Sequence, residues 1–60
     1  MNFPKDPVIL LSVINTHLRD HYASLEDLCK SNRLSEDELT KQLAGISFHY
    51  DNRQNQFVPD

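Results

Sequence analysis

The chain carries one cysteine, so no disulfide can form within it, and a lone thiol cannot build a multi-cysteine zinc site. A reducing, cytoplasmic compartment is the natural expectation. It carries one glycine, Gly45, which leaves no glycine-rich loop to cradle a phosphate. Basic residues are few: Lys5, Arg19, Lys30, Arg33, Lys41 and Arg53 stand singly against nine acidic residues, for a net charge of −3. Phosphate contacts supply most non-specific DNA affinity, so this scarcity disfavours nucleic acid as a partner. The apolar run Val8–Leu11 is far too short to span a bilayer. The start MNFPKDP has no basic segment followed by a signal-type apolar stretch, so neither membrane insertion nor secretion is expected. Sixty residues make a single small domain, which buries only about 60% of the surface its unfolded chain exposes.

What is present is organised around Ser24–Ile46, SLEDLCKSNRLSEDELTKQLAGI. Ser24 precedes Asp27 by three residues and Ser35 precedes Glu38 by three, the spacing of a serine N-cap. Glu26, Glu36 and Asp37 fall in first turns, where the helix dipole favours negative charge. Leu25, Leu28 and Cys29 share one side of a helix over about residues 25–31, and Leu39 and Leu43 share one side of a helix over 36–44. Gly45 follows where a left-handed C-cap residue is wanted. Two short helices across a three- or four-residue turn resemble a helix-turn-helix, with Cys29 in the small buried position of the first helix. Arg33 stands where the turn usually wants glycine or asparagine. Either Asn32 takes the left-handed conformation, or the turn differs in detail from the usual motif.

Before this pair, residues 1–5 read as extended, with Phe3 as anchor. Asp6-Pro7 reads as an N-cap followed by proline at the first helical position. The helix runs over about 7–21, with Leu11, Ile14 and Leu18 in one row and Leu10 beside it. Val8, Ile9 and Val13 widen the apolar surface beyond one stripe. Either this helix is the central core element, or Ile9 and Val13 with their neighbours form a dimer contact. After the pair, Ile46, Phe48 and Tyr50 alternate with Ser47 and His49, the period of a half-buried strand. Asp51–Asn55 is a turn in which Asn55 tolerates positive φ, and Gln56–Val58 returns, with Pro59 ending the strand. A hairpin over 46–58 should pack Phe48, Tyr50 and Phe57 back on the first helix. The fold class is therefore mainly α with a small β part: three short helices, a helix-turn-helix-like pair and a two-stranded C-terminal hairpin. That is the order of a reduced winged helix without the strand that usually lies between its first two helices.

No constellation calls for catalysis, a metal or a cofactor. His17 and His21 share a helix face at i, i+4, but a third ligand is missing. His49 reads as a surface strand residue. Cys29, expected to be buried, would be inert. The carboxylates cluster at helix N-termini, where capping and the dipole account for them. In a helix-turn-helix the third helix would read bases through its N-terminal turns. Its outward positions are Glu36, Asp37, Thr40, Lys41 and Ala44, so acidic side chains would lead into the groove. Thr40, Lys41 and Arg33 are the contacts left for a degenerate winged-helix DNA binder. The reading preferred over it is a non-enzymatic protein-interaction or self-association module, with partner unspecified.

The stretches NFPKDPVILLSVINTHLRDHY, SLEDLCK, SEDEL and HYDNRQNQFV resemble a family of short bacterial proteins, the domain-of-unknown-function family 4250. The specific part is P-K-D-P-V-x-L-L-S-x-x-N-T-x-L-R-D. The resemblance implies a stand-alone bacterial protein with no assigned activity and no catalytic residues to transfer. It singles out Asn15, Thr16, Arg19 and Asp20 as motif positions, of which Arg19 and Asp20 can hold the helix end and the next helix by hydrogen bonds and ion pairs.

Overall fold

The computed structural model describes residues 3–60. Residues 1 and 2 of the expected extended start lie outside the described residues. Three helices, α1 (Pro7–Asp20), α2 (Leu25–Asn32) and α3 (Glu36–Ala44), are followed by an antiparallel hairpin of β1 (Phe48–Asp51) and β2 (Gln56–Pro59). The fold is mixed and mainly helical.

Each helix starts on the side chain expected of it. The Asp6 carboxylate accepts from the amides of Val8 and Ile9 at 2.9 and 3.3 Å. The Ser24 hydroxyl accepts from the Asp27 amide at 3.1 Å, and the Ser35 hydroxyl from the Glu38 amide at 3.3 Å. Such caps are each worth about 0.5–2 kcal/mol.

The helix ends depart from expectation. Arg33 itself, not Asn32, takes the left-handed conformation, at φ 55° and ψ 44°. Its amide donates to Cys29, and the Leu34 amide reaches the same carbonyl at 2.9 Å. Gly45, expected to be left-handed, stays right-handed at φ −62°. The Ile46 and Ser47 amides bond back three residues, to Leu43 and Ala44, so the last turn tightens and the chain reverses later, at Ser47 with φ 65°. Strand pairing accordingly begins at Phe48 rather than Ile46. α1 ends one residue short of its expected limit, with His21 as C-cap, and α2 runs one residue further, to Asn32.

The core is one cluster. Leu10, Ile14 and Leu18 come from α1, Leu25, Leu28 and Cys29 from α2, Leu39 and Leu43 from α3, and Phe57 from β2. The buried α1 row is thus set by Leu10, and Leu11 is only half-buried. Ile14, Leu28 and Leu43 are fully enclosed, each contributing about 1.5–3 kcal/mol by burial. The hairpin divides its contacts: β2 lies along α1, while β1 lies along α3. Of the three aromatic residues expected on α1, Phe57 is buried, whereas Phe48 and Tyr50 are half-buried at the edge of the cluster. Phe3 packs against the cluster from the N-terminal side.

Candidate interaction surface

The outer face of α1 carries the two exposed large apolar side chains found among the described residues, Val8 at 64% and Ile9 at 55%. They are adjacent because Asp6 and Pro7 start the helix immediately before them, which turns Leu10 inward and leaves Val8 and Ile9 on the far side. Val13, one turn beyond Ile9, is half-buried. The same face continues through Ser12 and Thr16, where the Thr16 hydroxyl donates to the Ser12 carbonyl at 2.9 Å, to Arg19 and Asp20. Arg19 and Asp20 pair with each other at 2.9 and 3.0 Å and remain exposed. They bond each other rather than α2, so the structural role expected of them, holding the helix end against the next helix, is not the one they take. The Arg19 guanidinium holds the Asp20 carboxyl below its ordinary range.

The face of α3 that a DNA reader would use is acidic at its leading end. Glu36, Asp37, Lys41 and Ala44 are exposed, and the half-buried Thr40 spends its hydroxyl on the Glu36 carbonyl at 2.7 Å. Arg33 is exposed at the left-handed cap, and Lys30 is bound to Glu26 at 2.9 Å on α2.

Other candidates resolve into structural roles. His17 and His21 lie with ring centroids 5.6 Å apart, in an aromatic group with Phe3 and Tyr22. Nδ1 of His17 is buried without a hydrogen-bond partner. Among the described residues no group of three or more His, Cys, Asp or Glu side chains is arranged to hold a metal ion. Cys29 is 4% exposed, and burial, reinforced by the Glu36 carboxylate, pushes its thiol above the ordinary range. His49 is exposed, with Nδ1 2.7 Å from a carboxylate oxygen of Asp60. A hollow of about 310 Å³ lies between the N-terminal segment and α3, floored by Phe3, Leu10, Leu34 and Leu39 and rimmed by Lys5 and Glu38. Among the described lining residues the one hydroxyl, on Ser35, accepts from the Glu38 amide at the start of α3.

A set of side-chain amides that sequence reasoning did not assign ties the fold together. Nδ2 of Asn15 donates to the Phe57 carbonyl at 3.0 Å, and Oδ1 accepts from the Phe57 amide at 2.7 Å. Asn15 therefore satisfies both backbone groups of one residue on the outer edge of β2, as a neighbouring strand would. Asn55, left-handed at φ 53°, donates through Nδ2 to the carbonyls of Leu18 and Tyr22 at the end of α1. Its Oδ1 accepts from the Tyr50 hydroxyl at 2.6 Å, and that hydroxyl accepts from the first amide of α2, on Leu25, at 3.3 Å. Asn32 reaches the Tyr22 hydroxyl at 3.2 Å. The groups served at the helix ends are among those a helix cannot satisfy internally. These polar side chains are therefore spent on holding α1, α2 and the hairpin in register. No helix among the described residues is long and apolar enough to cross a membrane.

The chain matches the family model Domain of unknown function (DUF4250) over residues 4–57. No curated protein and no solved structure matches the chain.

Proposed function

The chain belongs to the DUF4250 family, a domain of unknown function, and from that premise we propose that it is a non-enzymatic protein-interaction module whose contact face is the outer side of α1. One observation carries this reading: Val8 and Ile9 lie side by side in water on a helix that already supplies the core with three other residues. Nothing inside the fold requires apolar side chains at those two positions, and exposed apolar patches mark contact sites. Two side chains are a small anchor, so the contact is transient unless neighbouring polar residues join it. The setting proposed is the bacterial cytoplasm, supported by the family resemblance and by the single buried thiol of Cys29. The DNA-binding reading is set aside because α3 leads with Glu36 and Asp37.

The test is a concentration series by light scattering and a partner capture from bacterial lysate, each run with wild type and with Ile9→Glu. The variant should fold as well as wild type, since the side chain is 55% exposed. Loss of association or capture in I9E supports the proposal. Equal behaviour of the two proteins in both assays removes it.

A further inference from the structure

The two edges of the hairpin are not equivalent. In the pairing Phe48↔Pro59, His49↔Val58, Tyr50↔Phe57 and Asp51↔Gln56, the Asp60 amide donates to the Ser47 carbonyl at 2.8 Å. Ladder bonds alternate along an antiparallel pair, so His49 and Asp51 face β2, while Phe48 and Tyr50 direct their N–H and C=O groups to the outer edge of β1. On the outer edge of β2 the corresponding residues are Phe57 and Pro59. Asn15 takes both groups of Phe57, and Pro59 has no N–H to offer. That edge is closed. On β1, among the described residues, no partner takes the backbone groups of Phe48 or Tyr50. A strand edge with unpaired donors and acceptors is a template for another strand.

We infer that the outer edge of β1 is a docking strand for a second copy of this chain, paired antiparallel about a twofold axis through His49. The pattern is self-complementary. With His49 opposite its own copy, Phe48 meets the second copy's Tyr50 and Tyr50 meets its Phe48, so both donors and both acceptors on each strand are used. Both aromatic residues gain a cross-strand aromatic neighbour. Each copy has one open edge, so the twofold pairing uses up both and stops at a four-stranded sheet rather than running on into a fibre. On the exposed face each copy brings a His49–Asp60 pair at 2.7 Å, so the two imidazoles meet with a carboxylate on either side. A four-residue strand is about 13 Å long and buries far less than the roughly 800 Å² per partner of a stable complex, so this dimer forms at high concentration and exchanges rapidly. The inference stands apart from the α1 reading, because it uses a different surface.

Two measurements test it. First, His49→Cys should cross-link to itself under mild oxidation, because directly opposed residues of a non-hydrogen-bonded pair bring their Cβ atoms within disulfide reach. The control is Asn52→Cys, exposed at the hairpin turn and off the axis. Cys29 is buried and stays out of the reaction. Held in register, H49C should cross-link about tenfold faster than N52C or better. Equal rates overturn the inference. Second, in the unaltered protein, amide exchange at Phe48 and Tyr50 should slow as concentration rises toward about 1 mM, with α1 unchanged. Unchanged exchange at both amides across that range overturns it. If only residues around Ile9 respond to concentration, association runs through α1; the inference then fails while the proposed function stands.

Discussion

Replacing Asn15 by alanine removes the two side-chain bonds that tie Phe57, on the outer edge of β2, to α1. The distances, 2.7 and 3.0 Å, are those of well-formed hydrogen bonds, and the pair is partly buried. Each bond is worth about 0.5–1.5 kcal/mol, and an amide and a carbonyl left without partners add to the loss, for about 2–4 kcal/mol in all. A 60-residue chain has about 3–9 kcal/mol of total stability at the usual 0.05–0.15 kcal/mol per residue. Asn15→Ala should therefore lower Tm by about 8–32 °C in a circular-dichroism melt, at about 4–8 °C per kcal/mol. Asn15→Asp separates hydrogen bonding from packing. The carboxylate still accepts from the Phe57 amide, but it faces the Phe57 carbonyl without a proton to donate. Its folded-state pKa is accordingly raised above the unfolded value of about 3.9. The bond to the carbonyl is present below that unfolded value and is lost as pH rises through the folded one. Relative to wild type, N15D should thus regain stability on acidification, and N15A should not. A loss of less than about 0.5 kcal/mol in N15A, the scatter of an ordinary surface substitution, would refute the reasoning.

Three further outcomes follow from the same geometry. Arg33→Gly should be neutral or stabilising by up to about 1 kcal/mol, because Arg33 sits at φ 55°; a loss above about 1 kcal/mol in a denaturant titration contradicts the left-handed cap. Cys29 should react with a thiol reagent only on unfolding, since it is 4% exposed with its thiol pushed up; fast labelling of native protein contradicts its burial. Asp51 accepts from the Arg53 amide at 2.8 Å and from the Gln54 side chain at 3.1 Å, which hold its carboxyl low. A depressed carboxylate stabilises above its unfolded pKa and loses that contribution as pH falls through its folded one, so D51N should flatten the acid limb of stability below about pH 4. An unchanged acid limb removes Asp51 as a contributor.

What was legible in the sequence is what depends on neighbours within a turn or two. Asp6, Ser24 and Ser35 announce their helices because each cap bonds an amide two or three residues on. The period of Phe48 and Tyr50 announces the strand, and Asn55 could be expected at positive φ from its residue type. Gly45 misled for a local reason: the tightened last turn displaced the reversal to Ser47, and a side chain at 45 would crowd the Gln42 carbonyl at 3.2 Å without any left-handed backbone. The amide locks were illegible for a distant reason. Asn15 and Asn55 find their partners 42 and 33–37 residues away, and residue type alone does not say whether an asparagine faces water or a strand edge. Yet the family resemblance had marked Asn15, and the order of elements already lacked the strand that usually lies between the first two helices of a winged helix, as it does among the described residues. Both signals meet at one place, since the Asn15 side chain serves Phe57 as such a strand would. The candidate site was legible only as an excess: Val8 and Ile9 are more apolar surface than α1 needs for its core row.

Amide exchange on dilute wild-type protein tests the asymmetry of the hairpin most directly, because both edges are read in one spectrum. The Phe57 amide should be protected by Asn15, and those of Phe48 and Tyr50 should exchange freely. Equal protection at all three, or a Phe57 amide as fast as the other two, would contradict the account.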